Sequence, residues 1–285
     1  MNILKYIDLY CIIGYPIDHS LSPVIYNYLF KIMGLEAYYF KYPLRSMELE
    51  IGLTFLKEKD IKGFNVTMPL KGSIVRFLSK VSADAKQIGA VNTVKNISGK
   101  YYGYNTDWIG VLRSIENVVR NVNLESCLII GAGGAGKSAV YALKKICKLI
   151  YIANRNFYKA KAVASKMSMN HVKIFPILLN ERSIRSIIHK VDIVINATPV
   201  GMDGKGMIIP EEMLNHDTIY FDMVYKPINT PLIKAAKEVG AKTIDGLWML
   251  IFQAIEAFKI WINMNVSGIL AQDIRRTLEA GIYGM

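Results

Sequence analysis

The chain has 285 residues, which at about 150 residues per domain predicts two domains. Apolar residues make up 52% and charged residues 20% of the sequence, a globular composition that excludes disordered, collagen-like and coiled-coil proteins. Lys and Arg exceed Asp and Glu by 35 to 23, a net charge of +12. The basic residues are scattered rather than clustered in a run, so a solvated basic surface is favoured over nucleic-acid binding.

The sequence gives no indication of export, membrane insertion or metal binding. Residues 1–13 are only partly apolar and no small-residue cleavage site follows, so we predict a cytoplasmic protein. The most apolar late segment, 247–258, is too short to cross a bilayer. The 3 cysteines lack C-x-x-C spacing and the 4 histidines lack zinc-ligand spacing. We therefore predict neither a disulfide nor a metal site.

Short apolar segments alternate with amphipathic ones, which predicts an α/β fold with mainly parallel sheets. Strands are predicted over 11–14, 37–42, 62–66, 127–130, 149–153, 192–196 and 219–222. Ser22 as N-cap, Pro23 at the first helical position and Gly34 at the end predict a helix over 23–33. Segments 91–94 and 101–104 flank Asn96, Ser98 and Gly99 and predict an antiparallel hairpin.

A glycine loop lies between a predicted strand and a predicted helix. Gly131, Gly133 and Gly136 form G-x-G-x-x-G, which suits a dinucleotide pyrophosphate at a helix N-terminus. With Lys137 and Ser138, the same segment also satisfies G-x-x-x-x-G-K-[ST], the phosphate loop of NTPases. A phosphotransferase, with a Walker B strand at 219–222, is therefore the alternative to a dinucleotide enzyme.

The end of the next predicted strand favours the dinucleotide. An NAD site places a carboxylate there to bind the adenosine ribose, whereas this chain has Asn154, Arg155 and then Lys159. Amide and cationic groups at this place suit a ribose 2′-phosphate. The predicted cofactor is therefore NADP, although these residues also fit an ordinary exposed basic segment.

Polar residues also follow the strands of the first half. Asn65, Thr67 and Lys71 alternate with apolar residues before a predicted helix, where α/β proteins bind ligands; a plain strand end with a surface lysine is the alternative. Asn92 lies in a predicted apolar strand, so it either caps a neighbouring segment or contacts a ligand. A domain boundary is predicted after Tyr104, and Asp107 lies just beyond it, where a cleft between domains could place its carboxylate near a ligand. The alternative is that Asp107 only stabilises the first turn of a helix.

Two hydroxyls lie at the start of the first predicted helix. One of Ser20 and Ser22 is needed as a cap, and the other is available for an anion.

Taken in order, these motifs resemble the shikimate dehydrogenase family over essentially the whole chain. They comprise G-Y-P at 14–16, H-S-L-S-P at 19–23, N-V-T-M-P-L-K at 65–71, G-A-V-N-T at 89–93, G-Y-N-T-D at 103–107, G-A-G-G-A at 131–135, N-R at 154–155, N-A-T-P-V-G-M at 196–202, D-M-V-Y-K-P at 222–227, G-L-W-M-L at 246–250 and Q-A at 253–254.

The resemblance implies two domains and one reaction. Residues 1–105, completed by 249–285, would form an α/β substrate domain with a mainly parallel sheet. Residues 106–248 would form a Rossmann NADP-binding domain. The last helices would pack back on the first domain. The implied reaction is the NADP-dependent interconversion of 3-dehydroshikimate and shikimate, on the pathway to chorismate and aromatic amino acids. The implied partners are small molecules only, with no nucleic acid and no membrane. The implied oligomeric state is a monomer or a homodimer.

The resemblance also implies the site residues. Lys71 and Asp107 would form the acid–base pair. The substrate would be bound by Ser20, Ser22, Asn65, Thr67, Asn92, Tyr225 and Gln253. The cofactor would be bound by Gly131, Gly133, Gly134, Ala135, Asn154, Arg155, Lys159, Thr198, Met223, Gly246 and Met249. Asn156 and Lys159 stand where the family usually has Thr and Arg, which implies a less strict preference for NADP.

Overall fold

The computed structural model describes residues 7–119, 124–169, 171–264 and 269–283. The chain divides into two compact units, one formed by Met1–Thr106 with Gln253–Met285 and the other by Asp107–Phe252. The functional division into 1–105 with 249–285 and 106–248 stays a prediction, although its boundaries lie close to these.

The first unit contains a six-stranded sheet with helices. Its elements are β1 (Asp8–Gly14), α1 (Ser22–Ile32), β2 (Ala37–Pro43), α2 (Leu49–Glu58), β3 (Gly63–Val66), β4 (Lys80–Val81), α3 (Ala83–Ile88), β5 (Thr93–Ile97) and β6 (Lys100–Tyr104). The strand order is β2-β1-β3-β5-β6-β4. β1 is parallel to β2 and β3, while β5 is antiparallel to β3 and β6.

The end of the chain completes the first unit. Helix α9 (Gly246–Ile262) belongs to this unit from Gln253 onward, and α10 (Ile269–Tyr283) lies against α1. Trp261 donates from Nε1 to the Val94 carbonyl at 2.9 Å. A Cβ at Gly63 would lie 2.5 Å from that nitrogen, so only glycine lets the indole reach the sheet. This packing confirms that the last helices return to the first sheet.

The second unit is a fully parallel sheet of six strands. Its elements are α4 (Asp107–Val118), β7 (Leu124–Ile130), α5 (Gly134–Leu143), β8 (Cys147–Asn154), α6 (Phe157–Met167), β9 (Lys173–Leu178), α7 (Glu181–Arg185), β10 (Ile193–Asn196), β11 (Ile219–Asp222), α8 (Pro231–Glu238) and β12 (Thr243–Ile244). The order β12-β11-β10-β7-β8-β9 is that of a Rossmann fold, with the strand order reversing beside β7.

All seven predicted strands are present, and no predicted end differs from the observed end by more than three residues. The hairpin is confirmed as β5 and β6, and its turn uses Ser98 and Gly99 at φ 49° and 76°. The N-cap prediction for Ser22 is wrong, because Leu21 occupies that position and Ser22 is already helical. The helix expected after Lys71 is a short 3-10 helix, Ser73–Phe77. Asn92 precedes its strand rather than lying in it.

Two features are absent from the described residues. No helix there is long and apolar enough to cross a membrane. No group of three or more His, Cys, Asp or Glu side chains there could hold a metal ion.

Candidate functional site

A buried polar network lies at the carboxyl end of β3 in the first unit. Asn65 is 5% exposed and accepts a 2.7 Å hydrogen bond from the Tyr39 hydroxyl. Its amide nitrogen donates to the Asn92 carbonyl and to Thr93 Oγ1, each at 3.2 Å. The Asn65 amide is therefore fixed in one orientation, and its Oδ1 keeps a second lone pair for another donor.

Asn92 extends this network toward the end of β6 and toward α9. Its Oδ1 accepts the Thr106 N–H at 2.7 Å, and its Nδ2 lies 3.0 Å from Thr106 Oγ1 and 3.4 Å from Gln253 Oε1. Asn92 thus caps a neighbouring segment, one of the two roles that the sequence left open. Both Asn92 and Gln253 are buried.

The two serines lie next to each other at the start of α1. Ser20 Oγ accepts the Ser22 N–H at 3.3 Å, and both serines are at least nine-tenths buried. The pKa of the nearby Tyr39 hydroxyl is raised mainly by burial. Tyr39 is therefore a neutral hydroxyl, and it donates to Asn65 Oδ1.

Thr67 and Lys71 follow β3, and both are half-buried. The Thr67 N–H donates to the Ile13 carbonyl at 2.9 Å, so this segment is held against the end of β1. The Lys71 carbonyl accepts the Val91 N–H at 2.8 Å, which places the backbone of Lys71 beside the segment that carries Asn92. Asp107 is the first residue of α4 in the second unit and is 4% exposed.

The glycine loop of the second unit has the dinucleotide form. Gly131 has φ 112°, which other residues rarely adopt, and a Cβ on Gly136 would overlap the Gly131 carbonyl oxygen. Gly133 is the N-cap of α5, and a Cβ there would meet nothing within 4 Å. The loop thus packs tightly behind Gly136 and leaves space above Gly133, as a pyrophosphate at the N-terminus of α5 requires. Gly134 and Ala135 begin that helix.

The end of β8 is tied to this loop. Asn154 Oδ1 accepts the Ala132 N–H at 3.2 Å, while Asn156 caps α6 by accepting the Lys159 N–H at 3.3 Å. Arg155 and Lys159 have exposed side chains. Asn154 therefore shapes the loop, and Arg155 and Lys159 supply charge beside it.

A second buried network joins the ends of β10 and β11. Asn196 donates from Nδ2 to Asp222 Oδ1 at 3.0 Å and accepts the Thr198 hydroxyl at 2.7 Å. The Met223 N–H donates to the Asn196 carbonyl at 3.0 Å. Burial raises the pKa of Asp222 to about 6. The network thus holds Thr198 and Met223 in place.

Three further predicted site residues lie near this network or on α9. A Cβ on Gly246 would lie 2.5 Å from the Met223 carbonyl oxygen, so the start of α9 approaches that backbone closely. Met249, on the first turn of α9, is 8% exposed. Burial raises the pKa of Tyr225 to about 12, which keeps its hydroxyl protonated.

Comparison with known proteins identifies the family. The family described as "Shikimate dehydrogenase substrate binding domain" matches residues 12–94, and "Shikimate / quinate 5-dehydrogenase" matches residues 113–246. The shikimate dehydrogenase (NADP(+)) of Aquifex aeolicus is 41% identical over 273 residues, which are 95% of this chain and 97% of the relative. The chain belongs to the shikimate dehydrogenase family.

Two other relatives agree with this assignment. The shikimate dehydrogenase (NADP(+)) of Pyrococcus furiosus is 40% identical and covers 89% of each chain. Shikimate 5-dehydrogenase from Listeria monocytogenes, solved in complex with shikimate and NAD, is 32% identical with a TM-score of 0.86 and covers 98% of each chain. The predicted family and the two-domain α/β fold class are confirmed.

The structure adds polar residues that the sequence did not single out. Tyr39, Thr106 and Asn196 each hydrogen-bond a predicted site residue. Thr106 and Asn196 lie inside family motifs, so their positions could have marked them as site residues. Nothing in the sequence distinguishes Tyr39 from its neighbour Tyr38. The structure brings together Ser22, Asn65, Asn92 and Gln253 in one unit, and the glycine loop with Asn154 in the other.

Proposed function

We propose that this enzyme interconverts 3-dehydroshikimate and shikimate with NADP, on the pathway to chorismate and aromatic amino acids. The observation that carries the proposal is the 41% identity with a shikimate dehydrogenase (NADP(+)) across both units. The substrate side is supported by the fixed polar network around Asn65 and Asn92. The cofactor side is supported by the space above Gly133 and by the cationic end of β8, which has Arg155 where an NAD site places a carboxylate.

The first-unit residues would recognise the substrate by its hydroxyls and carboxylate. Ser20 and Ser22, at the start of α1, would donate to the carboxylate, with Tyr225 as a further protonated hydroxyl donor. Asn65, Thr67, Asn92 and Gln253 would bind the ring hydroxyls and the reacting carbonyl. Because the Tyr39 hydroxyl already occupies one lone pair of Asn65 Oδ1, Asn65 would present a preoriented acceptor.

The reaction also needs a proton at the substrate oxygen. NADPH, when bound, supplies the hydride that reduces the carbonyl carbon. Lys71 would donate the proton to the developing alkoxide and recover it from solvent, and Asp107 would orient the ammonium group. In the reverse direction, Lys71 would accept the proton of the hydroxyl being oxidised.

Steady-state oxidation of shikimate, followed by the absorbance of reduced nicotinamide, tests this assignment. Lys71→Ala should lower kcat by at least about 100-fold, since general acid–base catalysis contributes about 10²- to 10⁴-fold, with little change in KM. Lys80→Ala, at an exposed lysine of the same unit, is the matched control and should retain wild-type kinetics. Asp107→Asn should lower kcat and keep a measurable pH dependence.

Two results would contradict the assignment. Absence of turnover with shikimate or quinate and either nicotinamide would reject the enzyme class. A kcat for Lys71→Ala within a few fold of wild type, with a raised KM, would show that Lys71 only binds a hydroxyl.

We also propose a cytoplasmic enzyme that acts as a monomer or homodimer on small molecules, without nucleic-acid or membrane partners. Cell fractionation tests the location, and sedimentation of the purified enzyme tests the oligomeric state.

A further inference from the structure

Thr93 lies at the centre of the substrate network, and the proposed function gives it no role. It is the first residue of β5 and is fully buried. Strands β3 and β5 are antiparallel, with Asn65 directly opposite Thr93. Opposite residues of neighbouring strands have their side chains on the same face of the sheet. The Thr93 hydroxyl therefore meets the Asn65 amide.

Two asparagine amides fix the direction of the hydrogen bonds at Thr93. The Asn65 atom that lies 3.2 Å from the Asn92 carbonyl must be the amide nitrogen, because a carbonyl only accepts. The same nitrogen therefore donates to Thr93 Oγ1 at 3.2 Å. The Asn92 side-chain atom that lies 2.7 Å from the Thr106 N–H must be the amide oxygen, because a backbone N–H only donates. Thr93 Oγ1 donates to that oxygen at 3.1 Å.

These contacts use the whole hydrogen-bonding capacity of the Thr93 hydroxyl. A hydroxyl has one hydrogen to donate and two lone pairs that accept. Its hydrogen is donated to Asn92 Oδ1, and one lone pair accepts from Asn65 Nδ2. Thr106 Oγ1, at 3.3 Å, can donate to the second lone pair. Thr93 therefore joins two proposed substrate-binding amides and acts on the substrate only through them.

We propose that Thr93 is a positioning residue for the reaction, holding the amides of Asn65 and Asn92 in the orientations in which they bind shikimate. This role rests on the proposed function and adds a residue that would not itself contact the substrate. Without the hydroxyl, one buried N–H of Asn65 loses its acceptor, which is costly. The amide is then expected to shift from the geometry that the substrate requires.

Steady-state oxidation of shikimate with NADP by three variants tests the role. Thr93→Val keeps the branched shape without the hydroxyl, and it should lower kcat/KM for shikimate by about tenfold and leave KM for NADP within about twofold. Thr93→Ser keeps the hydroxyl and should retain kcat/KM within about threefold of the wild type. Thr93→Ala should lose activity as Thr93→Val does. The Ser and Ala variants differ only in the hydroxyl, so their comparison decides the question if Thr93→Val does not fold.

Thr218→Val is the matched control, because it also removes a buried hydroxyl. Thr218 is 2% exposed, and its Oγ1 donates to the Val191 carbonyl at 3.2 Å, just before the amino end of β11. This variant should have a lower unfolding midpoint and the kinetic constants of the wild type.

Two results would overturn the role of Thr93. One is a folded Thr93→Val that is less stable but has wild-type kcat/KM for shikimate, since the hydroxyl would then only stabilise the fold. The other is an equal loss of kcat/KM in Thr93→Ser and Thr93→Ala, since the loss would then come from packing. If the wild type itself does not oxidise shikimate, the proposed function fails and the role of Thr93 fails with it, so the two kinds of failure are distinguishable.

Discussion

Asp222 provides a pH-dependent test of the network at the ends of β10 and β11. The carboxyl is fully buried and accepts hydrogen bonds from Thr230 Oγ1 at 2.7 Å and from Asn196 Nδ2 and the Val224 N–H at 3.0 Å each. Burial outweighs these donors and raises the pKa from 3.8 to about 6. The native state therefore binds this proton more tightly than the unfolded chain does.

The sign and size of the effect follow from linkage. The stability contributed by the protonated carboxyl is fully present below pH 3.8 and is lost as the pH rises through about 6. At 1.36 kcal/mol per pH unit, the whole loss is about 3 kcal/mol, of which about 2 kcal/mol falls between pH 4.5 and pH 7.5.

Asp222→Asn should remove this dependence. The asparagine keeps one acceptor for Asn196 and Val224, can donate to Thr230 Oγ1, and does not titrate. The assay is urea unfolding of both proteins at several pH values, and the unfolding free energy of the wild type minus that of the variant should fall by about 2 kcal/mol from pH 4.5 to pH 7.5. Asp217→Asn, at a carboxyl that is 85% exposed, is the control. A difference that stays constant with pH would refute the reasoning.

Four further substitutions test the nucleotide loop and the substrate network. Arg155→Ala should weaken NADP by about 1.5 to 3 kcal/mol and leave NAD nearly unchanged in fluorescence titrations, and equal losses would reject its role at the 2′-phosphate. Gly136→Ala should destabilise the fold and abolish NADP binding, because its Cβ would overlap the Gly131 carbonyl oxygen. Gly133→Ala should keep the unfolding midpoint but lose NADP affinity. Equal effects of the two substitutions on the unfolding midpoint would contradict the loop geometry. Tyr39→Phe should lower the unfolding free energy by about 1 to 3 kcal/mol, because it leaves Asn65 Oδ1 without the tyrosine donor. Tyr38→Phe, at a tyrosine that is 54% exposed, is the control and should leave the unfolding free energy unchanged. An unchanged unfolding free energy for Tyr39→Phe would show that the Tyr39 hydroxyl is dispensable.

Local sequence patterns were sufficient for most strands but not for every one. The strand Ile219–Asp222 is buried throughout and begins with three apolar residues, as is typical of a parallel strand, and it was placed correctly. β9 was not predicted, because Pro176 interrupts its apolar residues. A proline is compatible with β9 since that strand lies at the edge of its sheet and pairs only with β8. Edge position is a property of topology, which a local pattern does not contain.

In the candidate site, too, local features could be predicted from the sequence, whereas contacts between distant residues could not. The glycine loop could be predicted because each glycine answers a local steric need, as Gly131 and Gly136 do. The Tyr39–Asn65 hydrogen bond could not, since it joins residues 26 positions apart on strands that are not neighbours in the sheet. The N-cap role assigned to Ser22 was wrong because the helix begins one residue earlier than the Ser-Pro pair suggested.

The contribution of Trp261 to the first unit has a consequence for biosynthesis. The indole donates to Val94 and fills the space over Gly63, yet it is translated more than 150 residues after both of them. The second unit, in contrast, consists of one continuous segment, Asp107–Phe252. Domains fold as units during synthesis when their residues have emerged, and contacts between distant residues form late. The second unit is therefore expected to acquire its structure on the ribosome before the first, in reverse of their order in the gene.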